Sequence, residues 1–229
     1  LSRFYNYMNL IPNISSHKPL VTIAVPSFNQ GQFLDDALSS IFTQKVPAQV
    51  FVLDGGSSDN SINVIKKWER HLAGWRSYKD NGQASAINEG IAMGQAPFVF
   101  WLNSDDWLLP NAISTLINTL DLNPEAPVIY GKSWNIRHKT GKRSSVWVEP
   151  FDKKRLALRC IISQPATIIR RSAWEALGGL DPNLHMAMDY DLWWRIYINI
   201  GIPKFIDRYI AVNRIHKDTK TNTQRRRHY

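Results

Sequence analysis

A single cysteine, Cys160, occurs among 229 residues, so no disulfide can form within the chain. Such usage points to a reducing compartment, and Cys160 is expected to pack as a small core hydrophobe. Long apolar runs are missing as well. Nothing approaches the roughly eighteen uninterrupted apolar residues of a membrane-spanning helix. The first dozen residues lack the apolar stretch and small-residue cleavage site of a secretion signal. Leu1 is not an initiator residue, so the numbering is expected to begin inside a longer chain. There is no Walker-A loop, and no dinucleotide fingerprint follows the first apolar run. No internal repeat or low-complexity segment stands out.

What is present suits one large domain. Hydrophobic residues make up 44% of the chain, ample for a sizeable core. The formal charge of +9 is uneven: from Arg214 to Tyr229 there are six Lys or Arg against one Asp. Positive charge of this kind draws nucleic acid, an anionic membrane or a phosphorylated small substrate. The nine tryptophans do not form the strand-borne platform of a single-strand nucleic-acid module, so nucleic acid is not expected as a partner.

Apolar runs at Leu20–Val25, Val50–Leu53, Trp75–Tyr78 and Pro97–Leu102 predict strands. Between them, Gly31–Gln44, a segment from Asp59, and Gln83–Met93 predict helices. Phe33, Ala37, Leu38, Ile41 and Phe42 supply the first helix's apolar stripe. This alternation calls for an α/β fold, a mostly parallel sheet covered by helices, with a crevice at the strands' carboxyl ends. After a helix near Asn111–Leu120 the pattern loosens. Strands are expected at Val128–Tyr130, Ser145–Val148, Pro165–Ile169 and Tyr209–Val212, with helices at Ser172–Leu177 and Met186–Ile198. The natural division is an N-terminal extension (1–19), a nucleotide-sized half (20–110), a more variable half (111–217) and a basic tail (218–229), with 20–217 forming one domain.

The strand exits carry the chemistry. The most informative is Trp101-Leu102-Asn103-Ser104-Asp105-Asp106-Trp107, two adjacent carboxylates at the end of a buried strand. That placement is costly unless something positive satisfies them. Asp oxygens are the ligands Mg²⁺ or Mn²⁺ prefers, commonly shared with substrate phosphates. The bland alternative is a helix cap, with Asp106 serving the helix at Asn111. Val25-Pro26-Ser27-Phe28-Asn29 is a rigid exit from the first strand. In Asp54-Gly55-Gly56-Ser57-Ser58-Asp59 the glycines allow close approach, Asp59 can cap a helix, and Asp54 is left free to accept from a base or ribose. Lys79-Asp80-Asn81-Gly82-Gln83 forms a third such loop.

Together with Met188-Asp189-Tyr190-Asp191-Leu192-Trp193, these motifs in this order resemble the family 2 glycosyltransferases, which have the GT-A fold. The resemblance covers roughly residues 20 to 217. It implies a nucleotide-diphospho-sugar donor, commonly a UDP-sugar, and a metal-dependent inverting transfer. It places Asp54, with Pro26, Phe28 and Asn29, at the base and ribose, and Lys79, Asp80 and Gln83 in the next donor loop. Asp105 matches the metal-binding carboxylate and Asp106 supports it. Asn103 stands where the family usually has an acid, and Ser104 lies between. His216 falls where it can join metal or diphosphate, with Lys217 and Lys220 near phosphate. Asp189 matches the catalytic base and Asp191, two residues on, reads as an organising contact. His17, His71, His138 and His185 show no coordinated spacing.

Two other functions use similar loops: a nucleotidylyltransferase making nucleotide-sugars, and a non-enzymatic nucleotide-sugar sensor. The basic tail, Arg225 to Arg227 above all, and the aromatic second half favour a saccharide or polyprenyl-diphosphate-linked saccharide acceptor. The family resemblance suggests bacterial cell-envelope polysaccharide synthesis in the cytoplasm, and the basic residues suggest peripheral contact at the inner membrane's cytoplasmic face. Donor sugar, linkage and oligomeric state are not legible.

Overall fold

The computed structural model describes residues 18–219. His17, Lys220, the Arg225–Arg227 run and most of the expected N-terminal extension lie outside them. The first half is a run of strand–helix units: β1 (Val21–Ser27), α1 (Gly31–Phe42), β2 (Ala48–Asp54), α2 (Ser61–Trp68), β3 (Gly74–Ser77), α3 (Gln83–Ala92) and β4 (Phe98–Trp101). All three strand pairs here are parallel, with Ser27 opposite Asp54, Asp54 opposite Ser77, and Ala24 opposite Trp101. Parallel register requires each connection to cross back over the sheet, so the four strand exits open on one edge. Every residue of β1 and β4 is buried, which explains why their sequences read as unbroken apolar runs.

The core lies on both faces of this sheet. Val21, Ile23 and Val25 pack with Leu34, Leu38 and Ile41 of α1 on one side, whereas Ala24 meets Ile87 and Ile91 of α3 on the other. That is the period-two alternation of a strand. Gly90 lets α3 settle onto the sheet, since a Cβ there would lie 2.4 Å from a Leu53 methyl. Leu34, absent from the stripe read from sequence, is fully buried.

The second half adds β5 (Trp107–Leu108), α4 (Ala112–Asp121), β6 (Val128–Arg137), β7 (Arg143–Ser145), α5 (Lys153–Leu158), β8 (Thr167–Arg170), α6 (Arg171–Ala176), α7 (Met188–Asn199) and β9 (Lys204–Ile215). The sheet order is β3-β2-β1-β4-β8-β6-β9-β5, with β7 on β6. One sheet therefore crosses the sequence midpoint. β8 is antiparallel to both β4 and β6, which makes β6 run with β4; its ladder with β9 is again parallel. This is a GT-A-type α/β fold.

Several boundaries move. The strand expected at 145–148 stops at Ser145, and the one expected from Pro165 begins at Thr167 after a 3-10 turn over Gln164–Ala166. Pro165 has no N–H to give a ladder. The strand at Tyr209–Val212 is the middle of the much longer β9. β5 and α5 were not foreseen: two residues are too short for periodicity to speak, and α5 buries only Leu156, which leaves no apolar stripe. Cys160 does not pack in the core as expected but is exposed. Its Sγ donates to the Ile162 carbonyl. Among the described residues, no helix is long and apolar enough to cross a membrane.

Candidate functional site

The four parallel exits are tied to one another by side chains. At β1, Asn29 adopts a positive φ of 52°. Its N–H donates to Ser57 Oγ at 2.7 Å and its Oδ1 accepts from the Ser58 N–H at 2.9 Å. Asp59 accepts from the Gly31 N–H and the Ser61 N–H, both at 2.9 Å, so one carboxylate serves the first turns of both α1 and α2. Pro26 is buried within β1, while Phe28 is 61% exposed at the mouth. A Cβ added at Gly55 would stand 3.3 Å from the Phe28 ring and 3.6 Å from Asp80. Gly55 thus keeps a narrow space between an aromatic face and a carboxylate.

Asp54 requires a correction. It is fully buried, and its carboxylate is already engaged. Oδ2 accepts from the Gly56 and Ser57 N–H groups and from Ser77 Oγ at 3.1, 2.9 and 2.7 Å, and Oδ1 accepts from Ser57 Oγ at 2.5 Å. The loop curls back onto the strand end because Gly56 takes a φ of 83°. Asp54 therefore shapes the turn instead of standing free toward a base.

Asp80 sits at the third exit, where Oδ1 accepts from the Gly82 N–H and Oδ2 from Arg76 at 2.9 Å each. Arg76 was missed in the sequence. Its guanidinium also reaches the Asp54 carbonyl at 2.7 Å, forks onto Glu89, and lies 4.4 Å from the Tyr78 ring. Neither strand nor helix periodicity links Arg76 with Glu89 on α3. Lys79 is exposed beside this network.

At the β4 exit, Gln83 donates to Asn103 Oδ1 at 2.8 Å, joining the third loop to the fourth. Asn103 in turn donates weakly toward Asp106 and Gln164, at 3.3 and 3.4 Å. Gln164, another residue not singled out in the sequence, anchors to the Trp101 carbonyl at 2.8 Å. Ser104 is buried. Asp105 and His216 come together, with Nε2 3.0 Å from Oδ2 although the residues are 111 apart in sequence.

Asp106 does not cap the helix after Asn111. It is buried, accepting from the Arg214 N–H at 3.0 Å. Burial first, and then the adjacent Asp105 carboxylate, hold its pKa well above the usual range. Arg214 binds this corner together: its guanidinium donates to the Asp105 carbonyl and to Asp36, and lies between the Phe33 and Trp107 rings at 4.7 and 4.6 Å. That guanidinium is committed to structure. Lys217 is 80% exposed beside Asp218.

Asp189 occupies the first turn of α7, half-buried. Four residues on, Trp193 stacks on Trp101 with centroids 6.2 Å apart, so the Asp189 face of α7 points toward the strand that delivers Asn103 to Asp106. Asp191 instead pairs with Arg195 at 2.7 Å, whose guanidinium also takes the Leu177 and Gly179 carbonyls. Among the described residues, no group of three or more His, Cys, Asp or Glu could by itself hold a metal ion.

Known proteins resemble this chain in sequence and in fold. Residues 22–178 match Glycosyl transferase family 2. An uncharacterized glycosyltransferase of Rickettsia typhi is 26% identical over 221 residues, covering 91% of this chain and 68% of that protein. The chondroitin synthase of Pasteurella multocida is 25% identical over 236 residues, covering 98% of this chain but 24% of its own length, so the chain spans about a quarter of that synthase. Among solved structures, residues 1–349 of S. aureus TarS with UDP-GlcNAc superpose with a TM-score of 0.73 at 16% identity, over 89% of this chain and 60% of that one. The mannosyltransferase PcManGT of Pyrobaculum calidifontis, with GDP-Man and Mn2+, gives 0.70 at 16% identity, over 93% and 61%. At such identities the superpositions speak for the fold alone. The family match takes in most of the chain, from β1 through the Asp105 loop to α6, and so the chain belongs to glycosyl transferase family 2.

Proposed function

We propose that this chain carries a metal-dependent, inverting glycosyltransferase site. It would transfer a sugar from a nucleotide-diphospho-sugar, by preference a UDP-sugar, to a saccharide or lipid-linked saccharide. The observation that carries the reading is the meeting of Asp105 and His216 at 3.0 Å, beside strand-exit loops cross-linked by Asn29, Asp80 and Gln83. A hard carboxylate oxygen and an imidazole nitrogen fit Mn²⁺ or Mg²⁺ if the diphosphate and water complete the shell. The relatives' structures with UDP-GlcNAc and with GDP-Man and Mn2+ favour a donor and cation of these classes. When bound, the cation would supply charge neutralisation for the departing diphosphate.

The chain's own residues do the rest. Phe28 and Asp80 border the space that Gly55 keeps open, where a base and ribose would lie. Asp54 acts through the Gly55–Ser58 turn, and Gln83 with Asn103 fixes the donor loop against the Asp105 corner. Lys79 and Lys217, both exposed, would meet phosphate as a ligand enters, and Lys220 is assigned with them. Asp189 takes the proton from the acceptor hydroxyl as its oxygen bonds to the anomeric carbon and the bond to the diphosphate breaks. One displacement inverts the centre. Asp191 positions α7 through Arg195.

Purified protein should be incubated with UDP- and GDP-sugars, Mg²⁺ or Mn²⁺ and saccharide acceptors, with nucleoside diphosphate, free sugar, pyrophosphate and product measured separately. Diphosphate release matched by an inverted glycosidic product is expected. Pyrophosphate from a nucleoside triphosphate and a sugar phosphate would identify a nucleotidylyltransferase. Binding with no turnover would leave a sensor.

A further inference from the structure

From Arg137 to Arg159 there are eight Lys or Arg against two acids, a net of +6 within a chain of +9. Both acids are used locally. Glu149 accepts from Trp147 Nε1 and pairs with Arg159, and Asp152 caps α5 by accepting from the Arg155 N–H at 2.8 Å. Lys139, Lys142, Lys153 and Lys154 are all exposed. The same stretch carries two large apolar side chains in solvent, Trp147 at 61% and Leu158 at 79% exposure. The residue after Leu158, Arg159, lies 3.8 Å over the Trp147 ring.

We propose that the β6–β7 hairpin and α5 form a docking surface for an anionic lipid bilayer. Trp and Leu would enter the headgroup boundary while the lysines meet lipid phosphates. An acidic polysaccharide would satisfy the charge, but it has no use for Leu158. The rings it would stack on are already engaged: Arg159 lies over one face of Trp147, while Tyr209 and Arg143 both pack on Trp134 at 3.9 and 4.3 Å. The surface adjoins the proposed base, since Tyr190, next to Asp189, donates to the Leu156 carbonyl of α5 at 2.6 Å. The purpose of docking, presenting a lipid-linked acceptor to Asp189, rests on the proposed function. The binding itself does not.

Flotation of the full chain with phosphatidylcholine vesicles, with and without phosphatidylglycerol, tests this. Wild type should float only with the anionic lipid, and less as salt rises. Lys153→Ser and Lys154→Ser should each weaken partition roughly fivefold, and Leu158→Ser should weaken it further at high salt, where charge is screened. Unchanged flotation of all three variants, or binding abolished solely by neutralising Arg225, Arg226 and Arg227, overturns the proposal. So does stronger retention on dextran sulfate than on vesicles. Donor turnover with a soluble acceptor should be equal in wild type and L158S, so loss of docking and failure of the glycosyltransferase reading remain distinct.

Discussion

The two halves of the sheet use their polar residues differently. From β1 to β4, every strand is parallel and each exit loop bonds to its neighbour: Asn29 to Ser57, Asp54 to Ser77, Gln83 to Asn103. This half has its polar side chains largely satisfied within itself, a preorganised cradle. From β5 to β9, strand directions mix and the candidate chemical groups arrive from distant segments, Asp189 on α7 and His216 after β9. On the proposed function, donor recognition would fall to this cross-linked half, whereas the chemistry would depend on how the other half is docked against it.

That contrast can be broken most severely at Asp189. Asp189→Asn should lower acceptor-dependent transfer by roughly 100- to 10,000-fold, the scale of a lost general base, while donor binding stays intact. Single-turnover transfer alongside nucleotide binding checks it, and a near wild-type rate across pH would remove Asp189 from the role. Asp191→Asn should act instead on folding or acceptor placement; if its chemical step falls further, the two carboxylates must exchange assignments.

Next comes the junction of the halves. Asp105→Asn removes a hard anionic ligand at nearly constant size and should weaken apparent metal affinity beyond the roughly 10- to 100-fold typical of an outer-sphere partner. Metal titration of donor turnover reads this directly, and recovery at excess metal is the expected signature. Equal affinity in folded wild type and D105N would end the coordination assignment.

Within the rigid half, Asp54→Asn tests whether this carboxylate holds the turn. Two backbone N–H groups and two hydroxyls converge on it, and an amide cannot accept from all of them. A stability loss of about 1.5–3 kcal/mol by urea unfolding is expected. Lost donor affinity with unchanged stability would return Asp54 to direct base contact.

The smallest effect concerns pH. Because Asp106 has a folded pKa raised above its ordinary value, the native state binds the proton more tightly than the unfolded chain. Its contribution is therefore fully present below the ordinary carboxylate pKa and is lost as pH rises through the raised one. Asp106→Asn should flatten that decline. Urea unfolding of both proteins from acid to neutral pH, without metal, provides the comparison, and parallel curves would refute it.

The order of strands and helices through β4 was legible because parallel, doubly covered strands must be apolar and their connections must be amphipathic. Asp105 and Asp106 were likewise conspicuous as adjacent carboxylates at a strand end, whereas His216 was pointed to by the family resemblance. Several placements needed the tertiary structure. Asp54 looked free since nothing local shows that Ser77, from the next strand, would claim its oxygen. Arg76 was invisible because its partners Asp80, Glu89 and the Asp54 carbonyl meet only when three elements assemble. Cys160 seemed a core residue by type, yet the short segment after α5 leaves it exposed. Sequence determined the periodic elements and the chemistry available at the exits, since these follow from local sterics and solvent transfer. Only tertiary structure decided which polar atoms are also claimed from afar, because Ser77 on Asp54, Glu89 on Arg76 and Asn103 on Gln83 join partners whose separation along the chain carries no local signal.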